Sequence, residues 1–198
     1  MEMYAANIQR AAQRKSFENY KDYLSSLEMS AVICGFKPVY RQRITQLTNK
    51  SNQFNLTTRR YNENEIHEVS VSHNHICLCG RLLDKFGDNG IVSVFIGRIN
   101  GNALDMELWL MSCRVLKRDM ELAMIYELVK EAKLAGISRI NGYYYKTIKN
   151  SMVSEFYRSI GFELDKRLEN GDSVWHLDIS DYENKNKVIK IIEKENLT

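Results

Sequence analysis

Apolar positions along this chain alternate between helical and strand spacing, and the changes divide it into segments. Residues 4–28 carry apolar side chains at helical spacing, with a break near Ser16, where Ser16 stands as a cap for a second segment bearing Phe17, Tyr20, Leu24 and Leu27. Residues 31–36 form a short apolar run suited to a strand, and the only proline, Pro38, precedes a helical pattern over 39–53. Asn62 and Glu65 have the spacing of a capping pair for a short helix to about Val71. Strand periodicity then takes over in Ile76–Leu83, Ile91–Ile99 and Ala103–Met111. The turn signals at 87–90 (Gly-Asp-Asn-Gly) and 100–102 (Asn-Gly-Asn) predict an antiparallel meander. Asp119 is placed to cap a helix to Ala135 whose wide apolar arc (Met120, Ala123, Met124, Leu128, with Leu122, Ile125 and Val129) predicts burial. A strand over 140–145, a helix over 149–160, strands at 162–167 and 173–179, and a tail helix over 184–195 complete the expected order.

This succession predicts an α/β (α+β) domain over 30–180. Its mixed, mostly antiparallel central sheet carries helices on both faces, with a helical connector at 1–29 and a helical tail at 181–198. A 44% apolar and 27% charged composition over 198 residues suits one globular core. No apolar run approaches the ~20 residues of a membrane span, and the first residues lack a signal peptide's basic start and apolar centre. Together with four cysteines (Cys34, Cys77, Cys79, Cys113) and no Cys-x-x-Cys pair, this leads to an expected cytoplasmic location with reduced thiols and no membrane partner.

Charge is unevenly spread. Residues 1–60 hold ten Lys/Arg and four Asp/Glu, a net of +6, whereas 61–198 hold eighteen and twenty-one, a net of −3. Between 29 and 62 there are six cations (Lys37, Arg41, Arg43, Lys50, Arg59, Arg60) and no acid. That asymmetry points to a local anionic partner rather than to nucleic acid, whose binders are usually more basic overall. The same stretch holds a dense polar run, Gln46 to Tyr61. Within it Asn49, Lys50, Asn52, Gln53, Asn55, Thr57, Thr58, Arg59 and Arg60 are candidate binding residues, against the alternative of a solvated helix face and a polar loop.

His73, His75, Cys77 and Cys79 alternate, but strand neighbours two apart are separated by roughly 6.8 Å, so four of them cannot converge on one ion. No metal is expected, and a core-facing Cys77/Cys79 pair is the simpler reading. Cys113 ends the fourth strand next to Arg114, a place where a thiolate could serve as nucleophile, although no histidine stands near it in sequence.

The order of elements is similar to that of the Gcn5-related N-acetyltransferase (GNAT) fold. In that fold a Gln/Arg-x-x-Gly-x-Gly/Ala turn after the fourth strand holds the pyrophosphate of coenzyme A on backbone N–H groups. The matching residues are Arg114, Lys117, Arg118 and Asp119, with Lys117 and Asp119 in the glycine positions. Two readings stay open here, a turn whose side-chain charge binds the cofactor and an ordinary capped helix. The block from Lys149-Asn150 to Gly161-Phe162 resembles the fold's asparagine-to-tyrosine helix. Asn150 thereby becomes a cofactor-binding candidate, and Tyr157 either an acid for a departing thiolate or a half-buried aromatic.

Taken with the Gln46–Tyr61 run, the Asp84–Gly90 segment and Trp109–Leu116, these motifs resemble the C-terminal half of FkbH-like proteins, over residues from about 4 to about 180. The resemblance implies glyceryl transfer from 1,3-bisphosphoglycerate to an acyl carrier protein, toward methoxymalonyl units for polyketides. It also implies coenzyme A or carrier-protein phosphopantetheine as the cofactor. An Asp-x-Asp-x-Thr/Val nucleophile motif is absent from the sequence. The haloacid-dehalogenase-type domain of such proteins is therefore expected upstream or in trans, with residues 4–28 as the connector. A docking module without chemistry and a small-molecule N-acetyltransferase are the alternatives.

Overall fold

The computed structural model describes residues 2–192. Two helices, α1 (Glu2–Lys15) and α2 (Tyr20–Ser26), precede β1 (Ser30–Cys34), α3 (Arg41–Lys50) and α4 (Glu63–Val71). The meander β2 (His75–Asp84), β3 (Gly87–Asn100) and β4 (Ala103–Met111) leads into α5 (Met120–Leu134). Then come β5 (Arg139–Tyr144), α6 (Phe156–Ile160), β6 (Glu163–Arg167), β7 (Ser173–Asp178) and the two-residue β8 (Lys190–Ile191). The strands form one sheet in the order β6-β7-β5-β4-β3-β2-β1-β8. Neighbours are antiparallel except β4 with β5 and β1 with β8, so the expected mixed, mostly antiparallel sheet is present.

Both faces of the sheet are covered. One core joins α2, α5 and α6 to the sheet, with Trp109 meeting Phe95, Phe54 and Phe156 edge-on at 6.1, 6.5 and 5.1 Å between ring centres. A smaller core on the other face packs Ile44, Leu47, Tyr61 and Ile66 of the α3–α4 region against Val94, Ile96, Leu108 and Leu110. The Asn62/Glu65 pair forms a full capping box at the start of α4.

Several elements differ from the pattern. The break after α1 is real, but Asn19 caps α2 by accepting from the Lys21 N–H (2.8 Å), while the Ser16 hydroxyl donates back to the Gln13 carbonyl. Residues 1–29, expected as a connector, contribute Tyr23, Leu24, Leu27 and Met29 to the main core. The helical pattern of 39–53 yields a 3₁₀ turn at Pro38–Tyr40 and a helix that stops at Lys50. The β2–β3 turn falls on Lys85 and Phe86, with Gly87–Gly90 already inside β3. The 149–160 helix is divided into a 3₁₀ turn at Ser151–Val153 and the short α6. The tail helix is absent from 184–192, where Asn184 accepts from the Asn186 N–H and the Asn186 side chain brackets Ile189. Such local side-chain bonds compete with helical ones. Residues 193–198 of that expected helix lie outside the described residues.

Candidate binding site at the beta4-beta5 splay

Beta-sheet pairing between β4 and β5 covers only Ala103–Asp105 against Arg139–Asn141, after which the strands diverge. Diverging parallel strands leave backbone donors and acceptors open at their carboxyl ends, which is where open sheets bind ligands. Here the chain fills the gap itself. The Met111 N–H donates to the Phe54 carbonyl (3.1 Å) and the Leu56 N–H to the Trp109 carbonyl (3.2 Å). On the other side the Tyr145 N–H donates to the Leu56 carbonyl (2.9 Å). The buried Asn150 locks this insert, its Nδ2 donating to the carbonyls of Asn55 (3.0 Å) and Tyr145 (2.9 Å), while its Oδ1 accepts from the Thr147 N–H (2.7 Å). Asn150, expected at a cofactor, is therefore a structural bracket.

The polar run is largely occupied with its own loop. Asn49 Nδ2 donates to the carbonyls of Thr45 and Tyr61 (2.9 and 3.1 Å), and Thr57 Oγ1 to that of Glu107 (2.7 Å). Arg60 donates to the Thr48 carbonyl and to Asn52 Oδ1. Arg59 pairs with Glu107 (2.9 Å) and lies over the Tyr61 ring. Lys50 and Gln53 stay exposed at the rim.

Two cavities meet across Ser51 and Asn52. The larger, about 450 Å³, lies at the end of β4 and is lined by Arg43, Lys50, Arg114 and the exposed Cys113. The other, about 360 Å³, is lined by Asn55, Thr58, Arg60, Thr147 and Lys149. No acid lines either, so five cations face the joint groove. Arg43 is held below the usual guanidinium range, first by burial and then by the nearby Arg114, a like-charge pair that a bound anion would relieve. A third cavity of about 390 Å³ lies between β4 and β5 and contains Arg59, Arg98, Asp105, Glu107, Tyr143 and Tyr145. Glu107 is the extra residue of a bulge, since Met106 faces Gly97 and Leu108 faces Ile96. The sequence reading missed Glu107 and Asp105; two acids alternating inside an apolar strand were the available signal.

The turn after β4 carries charge where the resemblance has glycine. Lys117 and Asp119, in the glycine positions, both adopt left-handed backbone (φ 65° and 61°). Asp119 makes no side-chain cap, contrary to expectation, because from this backbone its carboxylate does not reach the α5 amides. Glu121 turns to its own N–H instead, and burial pushes its carboxyl up to about 6. Arg118 points away from the groove and joins the buried Asp84 (3.3 Å). With two carboxyl groups at the start of α5 and Arg118 already paired, this turn does not suit a pyrophosphate, so coenzyme A does not fit it in the manner the resemblance implies.

Glu121 offers a direct check. A carboxyl raised by burial favours the folded state while protonated; that contribution is present below the ordinary carboxylate range and is lost as pH rises through about 6. Glu121→Gln is expected to remove the loss and raise stability at pH 7 by about 1–2 kcal/mol. Urea unfolding at pH 4.5, 5.5 and 7 measures it; an unchanged pH slope would refute the assignment.

Tyr157, a candidate acid, is fully buried. Its hydroxyl donates to the Tyr143 carbonyl and accepts from the Tyr143 N–H, each at 3.1 Å, and burial pushes the phenol far above its ordinary range. Gly142 makes room for the ring, as a Cβ there would come within 2.5 Å of it. The structure thus corrects both earlier readings: Tyr157 is neither half-exposed nor able to reach a thiolate in the groove. Tyr157→Phe is expected to cost about 1–2 kcal/mol of stability while leaving ligand binding intact; a lost binding isotherm in a folded variant would return it to the site. Burial also pushes the Cys77 thiol up to about 12, and Cys79 is buried opposite Cys34. Among the described residues no group of three His, Cys, Asp or Glu side chains is placed to hold a metal, and no helix is long and apolar enough to cross a membrane.

No family model and no curated protein matches the chain. Solved structures do match in fold. The ribosomal-protein-S18-alanine N-acetyltransferase of Escherichia coli aligns with a TM-score of 0.56 at 11% identity, over 79% of this chain and 99% of that one. Spermidine N-acetyltransferase of Vibrio cholerae, in complex with CoA and spermine, gives 0.58 at 10% identity, over 77% and 96%. PaiA N-acetyltransferase of Thermoplasma acidophilum, in complex with coenzyme A, gives 0.54 at 16% identity, over 75% and 99%. The chain has the GNAT acetyltransferase fold.

Proposed function

We propose that this chain acts in acyl transfer to an acyl carrier protein, as the domain that receives the carrier's phosphopantetheine arm, in the manner of FkbH-like proteins. The observation that carries this reading is the acid-free groove with five cations at the end of β4, beside a turn unsuited to pyrophosphate. A carrier-borne arm brings one phosphodiester on an acidic protein, which the groove's cations can receive without the pyrophosphate-holding turn that coenzyme A would need. Arg43, Arg114 and Lys50 would take the phosphodiester, and the exposed Cys113 lines the same cavity. Tyr157 is closed off, so the domain binds and presents the arm. The glyceryl and phosphate chemistry, toward methoxymalonyl units, then belongs to a haloacid-dehalogenase-type domain upstream or in trans, in the cytoplasm.

Calorimetric titration with phosphopantetheinylated carrier protein, unmodified carrier and coenzyme A tests this. Saturable binding of the modified carrier, weakening with salt, is expected, and Arg43→Ala with Arg114→Ala should weaken it by about ten- to a hundredfold. Equal binding of the unmodified carrier, or an unaffected double variant, would sink the proposal.

One observation favours a second reading. Asp105, Glu107, Tyr143 and Tyr145 offer carboxylates and aromatic faces to an ammonium, and spermidine N-acetyltransferase shares the fold. Arg59 and Arg98 oppose a cation there, at 2.9 and 3.6 Å from Glu107. Turnover of acetyl coenzyme A with a polyamine would establish this alternative.

A further inference from the structure

We infer that the smaller cavity, between the Ser51–Arg60 loop and Thr147–Lys149, is an oxyanion site in its own right: a phosphoryl or carboxylate oxygen accepts from Asn55 Nδ2, and Arg60 and Lys149 supply the charge. This does not rest on the carrier-protein reading, because the arm's phosphodiester is assigned to the cavity on the other side of Ser51 and Asn52.

The first observation is an unpartnered donor. Asn55 is 1% exposed and lines this cavity, and its Nδ2 has no hydrogen-bond acceptor. Its orientation is fixed, since Oδ1 accepts from the Thr58 N–H at 2.9 Å and the Asn55 carbonyl is taken by Asn150 Nδ2 at 3.0 Å. Leaving a buried amide donor unpaired costs stability, and a buried group in that state asks for a ligand or an ordered water.

The backbone beside it is also held in an uncommon state. Thr58, the next wall residue, is a β-branched residue with φ of 58°, a conformation that persists only where the surroundings enforce it. Here the Thr58 N–H bond to Asn55 Oδ1 enforces it, so the strained backbone and the unpartnered amide are one unit.

The third observation is the sign of the wall. Arg60 and Lys149 are its charged residues, Ser51, Thr58 and Thr147 add hydroxyls, and no acid is present. A cation would meet two positive charges there, and an uncharged ligand would leave them without a counter-charge. Guanidinium, ammonium, amide N–H and hydroxyl donors together match an anion with several acceptor oxygens.

Phosphate and carboxylate share this chemistry, and separate titrations distinguish them. The probes are inorganic phosphate and acetate, each added to the full chain with ¹⁵N detection of the Asn55 side-chain amide. A saturable shift of that amide pair is expected for at least one probe: with phosphate alone the site takes phosphoryl groups, with acetate alone carboxylates, and with both it takes either. Lys149→Gln with Arg60→Gln should raise the dissociation constant by about tenfold or more. Because Arg60 also braces its loop, exposed Lys149→Gln alone is the second variant, with a smaller rise in the same direction. No movement of the Asn55 amide with either probe, or full affinity in both variants, would overturn the site. Failure of carrier-protein binding in the earlier titration would leave it standing.

Discussion

Asp84→Ala is expected to lose about 3–5 kcal/mol of stability, the largest effect of any single substitution considered for this fold. The side chain of Asp84 is fully buried. Its Oδ2 accepts from Arg10 Nε (2.7 Å), Asn89 Nδ2 (3.2 Å) and Arg118 Nη1 (3.3 Å), and its Oδ1 from Arg10 Nη2 (2.8 Å) and the Phe86 N–H (2.9 Å). Removing the carboxylate leaves two guanidinium groups, with side chains 4% and 11% exposed, to repel one another without a counter-charge. Burial works to raise this carboxyl, but the Arg10, Asn89 and Phe86 hydrogen bonds outweigh it and hold the group below the usual carboxylate range. Its contribution is therefore fully present above the ordinary carboxylate range and is lost only as pH falls below that range. Urea unfolding at pH 7 and at pH 3 reads both effects; a loss below about 1 kcal/mol at pH 7 would mean that the three-residue cluster is not a buried network.

Asn150→Ala is the second, with an expected loss of about 2–4 kcal/mol. The side chain satisfies the carbonyls of Asn55 and Tyr145 and the Thr147 N–H, and it accepts from the Tyr144 hydroxyl (3.2 Å). Alanine leaves these groups unpaired inside the protein. The damage should concentrate at the splay, because Asn150 joins the insert to the end of β5. Amide hydrogen exchange is the sharper readout: the N–H groups of Leu56, Met111 and Tyr145, which knit the insert to β4 and β5, are expected to lose protection before the β2–β3 ladder does. Uniform loss of protection across the sheet would show that the insert is not a separable unit.

The meander was legible because period-two alternation and the Asn100-Gly101 turn act locally, although the first turn fell at Lys85 and Phe86, and the capping box at Asn62 and Glu65 because it needs only four residues. The site was legible as a segment and misread in part as to role. Residues 46–61 do border the groove, but Asn55, Thr57 and Leu56 serve the gap between two adjacent strands that lie about fifty and ninety residues further along the chain, a relation that no local pattern encodes. Tyr157 gave no signal of its burial, since only the absence of a side chain at Gly142, on a neighbouring strand, admits its ring. Arg118 reads as a free cation beside a loop until Asp84, thirty-four residues earlier, is brought against it. Glu107 stood out only as an acid in an apolar strand; that it is the inserted residue of a bulge is not something a strand's alternation reveals. The tail helix failed for the opposite reason: its apolar spacing was suitable, but the asparagines at 184 and 186 offered the backbone nearer partners.

The outermost strands bear on how the molecule meets copies of itself. β6 forms one rim, short and exposed along its whole length, with Glu163, Asp165, Lys166 and Arg167 among its five residues, so a second chain laid along it would have to confine those charges. At the opposite rim the apolar β1 would be an inviting template, but β8 covers it through Ser30 with Lys190 and Ala31 with Ile191. One rim is thus guarded by its own composition and the other by a clasp of two residues. A nick before Lys190 would open the second rim to strand addition and leave the first as it was.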